Sequence, residues 1–202
     1  IIFNYIFAVH RYITAFRKEG LMKEYLLRKG GIYEVPYLLL SVILGLPILP
    51  HTKISSTING EVPEMDILAI IPIIQQTYHK EEGKYITSLS YTPHWVFIEI
   101  TRSKASERID DFKHKIITFL RLLSKTNQNS YLEDRVSFIL ISKIDNKVQC
   151  MSNARPLIPS VSYQCYLHIH DCQYPHIPII ITDIVNTLDV HIFLKVLTSA
   201  LS

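Results

Sequence analysis

The chain has 202 residues, 48% hydrophobic and 19% charged, with a formal net charge of +3. That make-up belongs to a globular protein with a real core, long enough for one large domain, and its mild charge does not by itself specify a nucleic-acid partner. Three cysteines, Cys150, Cys165 and Cys172, with no C-x-x-C pair, argue against a disulfide framework and for a reducing, intracellular and cytoplasmic setting.

The first nine residues are strongly apolar but run into His10 and Arg11. Ile32 to Leu49 is also apolar, yet it holds Glu34, Pro36, Gly45 and Pro47. Neither is a charge-free stretch of membrane-spanning length, so both read as buried helices and no membrane partner is expected. Ile1 in place of an initiator methionine suggests that the natural chain begins upstream. Arg11 to Lys29 carries six bases against two acids, either a solvated helix face or a phosphate-contacting surface.

Gly30-Gly31 breaks the chain, and a helix is expected from about Ile32, with Pro36 in its first turn and Val35, Leu38, Leu39, Val42 and Ile43 at helical spacing. Glu34 near its start suits the helix dipole. Gly45 and Pro47 end it. Ile48 to Ser55 reads as a first strand, Asn59-Gly60 as a hairpin turn and Glu64 to Ile71 as a second strand. Period two puts Asp66, Leu68 and Ile70 on one face. Pro72 to Pro93 reads as a hairpin extension or a long loop. His94 to Lys104 is a third strand running into a basic turn, with Phe97, Glu99 and Thr101 on one face. Ala105 to Ser124 is helical, striped by Ile109, Phe112, Ile116, Phe119, Leu120 and Leu123, with Lys104, Arg108, Lys113 and Lys115 on its exposed face. Arg135 to Ser142 is a fourth strand. Val161 to His170 and Ile177 to Thr182 read as two more, and Leu188 to Leu201 as a closing amphipathic helix.

Two carboxylates stand out because they sit in apolar strands, where a charge is costly unless something pairs with it. They are Asp66 and Glu99, and Glu34 on the preceding helix makes a third acid. Acids gathered without matching bases suggest a site for a hard divalent cation, which takes oxygen ligands and keeps several waters. His168, His170, Cys172 and His176 form a rival cluster, but their spacing fits no common zinc template. Phosphate-binding loops and nucleophile-elbow motifs are absent from the sequence.

The order of these elements, with Leu27-Arg28-Lys29-Gly30-Gly31-Ile32-Tyr33-Glu34, Pro63-Glu64-Met65-Asp66-Ile67-Leu68-Ala69 and Val96-Phe97-Ile98-Glu99-Ile100-Thr101-Arg102, resembles the PD-(D/E)xK nuclease superfamily. That group includes restriction enzymes and archaeal Holliday-junction resolvases. The resemblance covers roughly residues 25–142. It implies an α/β fold with an αβββαβ restriction-endonuclease-like core, a mixed central sheet flanked by helices. It implies one nuclease-like domain over 1–202, with an N-terminal helix at 1–20 and a C-terminal elaboration at 143–202. The implied activity is a Mg²⁺- or Mn²⁺-dependent endonuclease acting on duplex or branched DNA. The implied metal residues are Asp66, Glu99 and Glu34, with Lys104 beside them in catalysis. The implied phosphate contacts are Arg28, Lys29, Arg102, Lys104 and Lys113. A homodimer would form through the first helix or the 143–202 region.

The chain departs from the superfamily pattern at Thr101, which stands where the lysine is expected. Lys104 in the turn, or Lys113 or Lys115 reaching back from the next helix, would have to replace it. Asp111 stands near the place where the superfamily often carries a glutamine. If no lysine replaces it, the implied protein binds nucleic acid or a partner protein without cutting.

Overall fold

A computed structural model describes residues 31–53, 64–81, 84–125, 135–149, 153–168 and 176–201. Helix α1 (Gly31–Ile43) leads into β1 (Ile48–Lys53), β2 (Glu64–Glu81) and β3 (Lys84–Lys104). Helix α2 (Ala105–Lys125) and β4 (Val136–Lys143) follow, then the short α3 (Asn146–Gln149). Strands β5 (Arg155–Ile158), β6 (Ser162–His168) and β7 (His176–Asp183) precede α4 (Val190–Ala200). The described strands form one seven-stranded sheet in the order β1-β2-β3-β4-β7-β6-β5. β3 pairs with β4, and β4 with β7, in parallel, while every other neighbouring pair is antiparallel. The fold is therefore α/β with a mixed sheet flanked by helices.

Each face of the sheet carries its own core. On one face Leu68, Phe97, Phe138, Leu140, Ile179 and Ile181 meet Phe112, Ile116, Phe119 and Leu120 of α2. Phe119 closes on Phe97 and Phe138 with ring centroids at 4.4 and 5.9 Å, which fixes the helix against the sheet. On the other face Ile67, Val96, Ile98, Ile100, Ile139 and Ile141 meet α1 and α4 through Tyr37, Leu38, Leu40, Phe193, Val196 and Leu197. β4 lies under both layers. It is buried from Ser137 to Ser142, the continuous apolar run of a strand covered on both sides.

Helix α1 is anchored at its centre. The Tyr37 hydroxyl donates to the Ile184 carbonyl at the end of β7, and the ring sits 6.0 Å from Phe193. Glu34 lies one turn upstream and is buried. Pro36 lies inside the helix and not at its first turn, so the carbonyl of Ile32 loses its usual helical donor.

The segment 72–93, expected as a hairpin extension or loop, is the extension. β2 and β3 stay in register from Ile67↔Ile98 to Glu81↔Lys84. Pro72 opposes Pro93, in a stretch that neither β1 nor β4 flanks, so a proline there costs no bond to a third strand. β5, β6 and β7 continue the same sheet beyond β4. The 1–20 helix, the Asn59-Gly60 turn, Arg28, Lys29, His170 and Cys172 lie outside the described residues.

Among the buried polar groups, His94 Nε2 lies 2.7 Å from Ser137 Oγ. The Ser137 hydroxyl in turn donates to the Ala200 carbonyl. Its hydrogen is thereby used, so His94 must be the donor from Nε2. Burial lowers the His94 pKa, which favours the neutral ring with its hydrogen on Nε2.

Candidate active site

The β2–β3 ladder stops at Ile67↔Ile98. Beyond it β2 stays paired with β1 at Met65↔Thr52 and Glu64↔Lys53, while β3 stays paired with β4 at Glu99↔Leu140 and Ile100↔Ile141. The sheet forks here, and Asp66 and Glu99 stand at the two sides of the fork. The Ile100 N–H, which has no ladder partner on β2, donates to Asp66 Oδ2 at 2.7 Å. Asp66 is thus held by the backbone of the strand that carries Glu99.

The electrostatics of the fork are unfavourable to charge. Asp66 is pushed well above the usual carboxylate range, first by burial, then by the charge of Glu99, then by that of Glu34; the Ile100 N–H and Lys115 act against this. Glu99 is also raised by burial, and Lys115, by charge and hydrogen bond, pulls it back; Arg108 lowers it further and Glu64 raises it. Asp66 thus feels the charges of both Glu99 and Glu34, and Glu99 that of Glu64, but the three predicted acids do not form one cluster. Glu64 was legible only as the first residue of a strand.

Lys115 supplies the positive charge at the fork. Its ammonium donates to Glu99 Oε1 at 2.5 Å, with 27% of the lysine side chain and 8% of the glutamate exposed. The helix explains the reach. Lys115 lies three residues after Phe112 and four before Phe119, both buried against the sheet, so it shares their side of α2. The expectation that Lys115 belongs to the solvent face is corrected: its stem follows the apolar stripe. The second carboxylate oxygen of Glu99 is buried and has no hydrogen-bond partner among the described residues.

Thr101 has a backbone task. Its hydroxyl accepts the Ser103 N–H at 3.2 Å, inside an irregularity where β3 runs four residues from Ile100 to Lys104 while β4 runs two, from Ile141 to Lys143. Arg102 turns away from Glu99, as strand alternation requires, and lays its guanidinium over the Tyr33 ring at 4.5 Å. That stacking brings it beside Glu34 in sequence and onto the α1 side. Arg102 and Lys104 are exposed and Lys113 is half-buried on α2. Asp111 is exposed and paired with Arg108 at 2.8 Å.

Among the described residues no three or more His, Cys, Asp or Glu side chains are gathered closely enough to hold a metal ion by themselves. A site at the fork would rest on two carboxylates, and that suits Mg²⁺, which commonly uses one or two carboxylates and completes its shell with waters and substrate phosphate. No family model, curated protein or solved structure matches the chain. Among the described residues, no helix is long and apolar enough to cross a membrane.

Proposed function

We propose that the chain is a divalent-metal-dependent endonuclease of the PD-(D/E)xK type, cutting phosphodiester bonds in duplex or branched DNA. The observation that carries the reading is the fork: a half-buried Asp66 and a buried Glu99 on diverging strands, with Lys115 on Glu99. The element order α1-β1-β2-β3-α2-β4, with three antiparallel strands and a fourth parallel to the third, supports it.

In this reading Asp66 and Glu99 hold Mg²⁺ or Mn²⁺, and Glu34 orients water at the edge of the site. Their hard oxygen donors, and a Glu99 oxygen left without a hydrogen bond, fit such an ion. The bound ion would polarise the scissile phosphate and supply a water of lowered pKa. Lys115 takes the part of the lysine missing at 101: it offsets the acids at rest and charge on the phosphate in the transition state. Arg102, Lys104 and Lys113, with Arg28 and Lys29, provide the phosphate path.

One observation favours a second reading, in which the protein binds nucleic acid or a partner protein without cutting. Thr101 is committed to the backbone, and the Lys115–Glu99 pair already neutralises one acid. Incubation with duplex, branched and single-stranded DNA in Mg²⁺ or Mn²⁺, beside Glu99→Ala, separates the two. Metal-dependent cleavage that the substitution lowers by roughly 10²-fold or more is the expected result. Cleavage undiminished in Glu99→Ala sinks the assignment, and binding without cleavage favours the second reading.

A further inference from the structure

From Pro72 to Pro93 the β2–β3 pair is a two-stranded ribbon with no third strand on either edge among the described residues. Such ribbons are marginal in water on their own. Cross-strand pairing sorts its side chains. Gln76 opposes Leu89, Tyr78 opposes Thr87 and Lys80 opposes Tyr85, and Ile74 shares their face by alternation. Ile74, Tyr78, Tyr85 and Leu89 are 69, 67, 77 and 70% exposed. The opposite face carries Gln75, Thr77, Ser88 and Ser90, with a Thr77–Ser88 hydroxyl bond at 2.6 Å and Ile86 as its exposed apolar residue. The apolar face continues, by period two, the sheet face of Leu68, Ile70, Trp95 and Phe97 that α2 covers.

We infer that this face of the ribbon packs against the same face of a second copy of the chain, forming a two-fold dimer. Two tyrosines offer about 150–250 Å² each and two aliphatic side chains about 60–120 Å² each. At the observed exposures this amounts to roughly 300–500 Å² per copy, or roughly 600–1,000 Å² for the pair, before the stems of Gln76, Thr87 and Lys80 are added. The upper end meets the ~1,000 Å² of a specific interface, so the dimer is weak and held mainly by apolar burial. Charge favours a copy over nucleic acid. Lys80 is the charged residue on this face among the described side chains, and it is held over the Tyr85 ring at 5.8 Å. A self-complementary apolar patch closes on itself by two-fold symmetry. The inference is independent of whether the fork cuts DNA.

Sedimentation equilibrium of the full chain tests it, over a range reaching about 100 µM, high enough to populate a weak dimer. The wild type is expected to dimerise, and Tyr78→Lys with Leu89→Lys to be monomeric with an unchanged far-UV spectrum. Thr77→Lys with Ser88→Lys, on the other face, should dimerise like the wild type. In a separate variant, Gln76→Cys should cross-link between copies with a short bis-maleimide, above the background of the unsubstituted chain. That readout survives if the lysine variant fails to fold. A monomer throughout the range, a dimer insensitive to Tyr78 and Leu89, or no added cross-linking at 76 overturns the inference; so does a wild type that stays monomeric while its ribbon is protected by DNA.

Discussion

At the scale of residues, the fork stores cost in its acids. Asp66 holds its proton to a higher pH when folded than when unfolded, so stability is lost as pH rises from about 4, its ordinary value, through the folded value. Asp66→Asn keeps an oxygen to accept the Ile100 N–H and removes the charge. It is expected to raise stability by roughly 1–3 kcal/mol at pH 8 and by little near pH 4, read by urea unfolding at the two pH values. Equal effects at both would show that Asp66 is not held up by its surroundings. Lys115→Met works in the opposite sense. It leaves Glu99 buried beside other acids without its cation, so stability should fall by about 1–3 kcal/mol at pH 8 and less at pH 5, where Glu99 can take up a proton. In the same variant any cleavage should drop about 10²–10³-fold. Full activity there would remove Lys115 from the mechanism.

At the scale of elements, the aromatic cluster links packing to chemistry. Phe119 holds α2 on Phe97 and Phe138, and Lys115 sits one turn before it. Phe119→Ala should cost about 3–5 kcal/mol in thermal or urea unfolding, and should weaken cleavage even where the protein remains folded. The acids were legible in the sequence because a carboxylate in an apolar strand is conspicuous: Asp66 before Ile67-Leu68-Ala69 and Glu99 between Ile98 and Ile100. The lysine was harder to find. Lys115 stands among Lys113, His114 and Arg108, and composition alone reads that run as a wet face. Its placement three after Phe112 and four before Phe119 was the available signal. The ribbon was half legible, because Pro72 and Pro93 suggest irregular chain unless one knows that they face each other across unflanked strands. Thr101 looked like a missing lysine, and its bond to Ser103 could not be foreseen without the bulge.

At the scale of the whole molecule, seven described strands share one sheet, and the fork interrupts it between β2 and β3. The region after Lys143 adds β5, β6 and β7 to that sheet, and β7 lies parallel to β4, under α4. This second half buries β4 on its far side, so the strand beside Glu99 is a rigid central one, and Tyr37 ties α1, and with it Glu34, to the end of β7. The parallel β4–β7 pairing was not foreseen, because strand patterns reveal which residues face a core and not which distant strand lies alongside. Support on both sides of β4 holds Glu99 in place at the fork, and on the proposed reading a bound divalent cation would offset the cost of keeping Asp66 and Glu99 near one another. The most direct test is Mn²⁺ binding to the intact chain at pH 7.5, followed by electron paramagnetic resonance. The account predicts saturable binding in the wild type that weakens at least about tenfold in both Asp66→Asn and Glu99→Gln. Absence of saturable binding, or binding that neither substitution weakens, would contradict it.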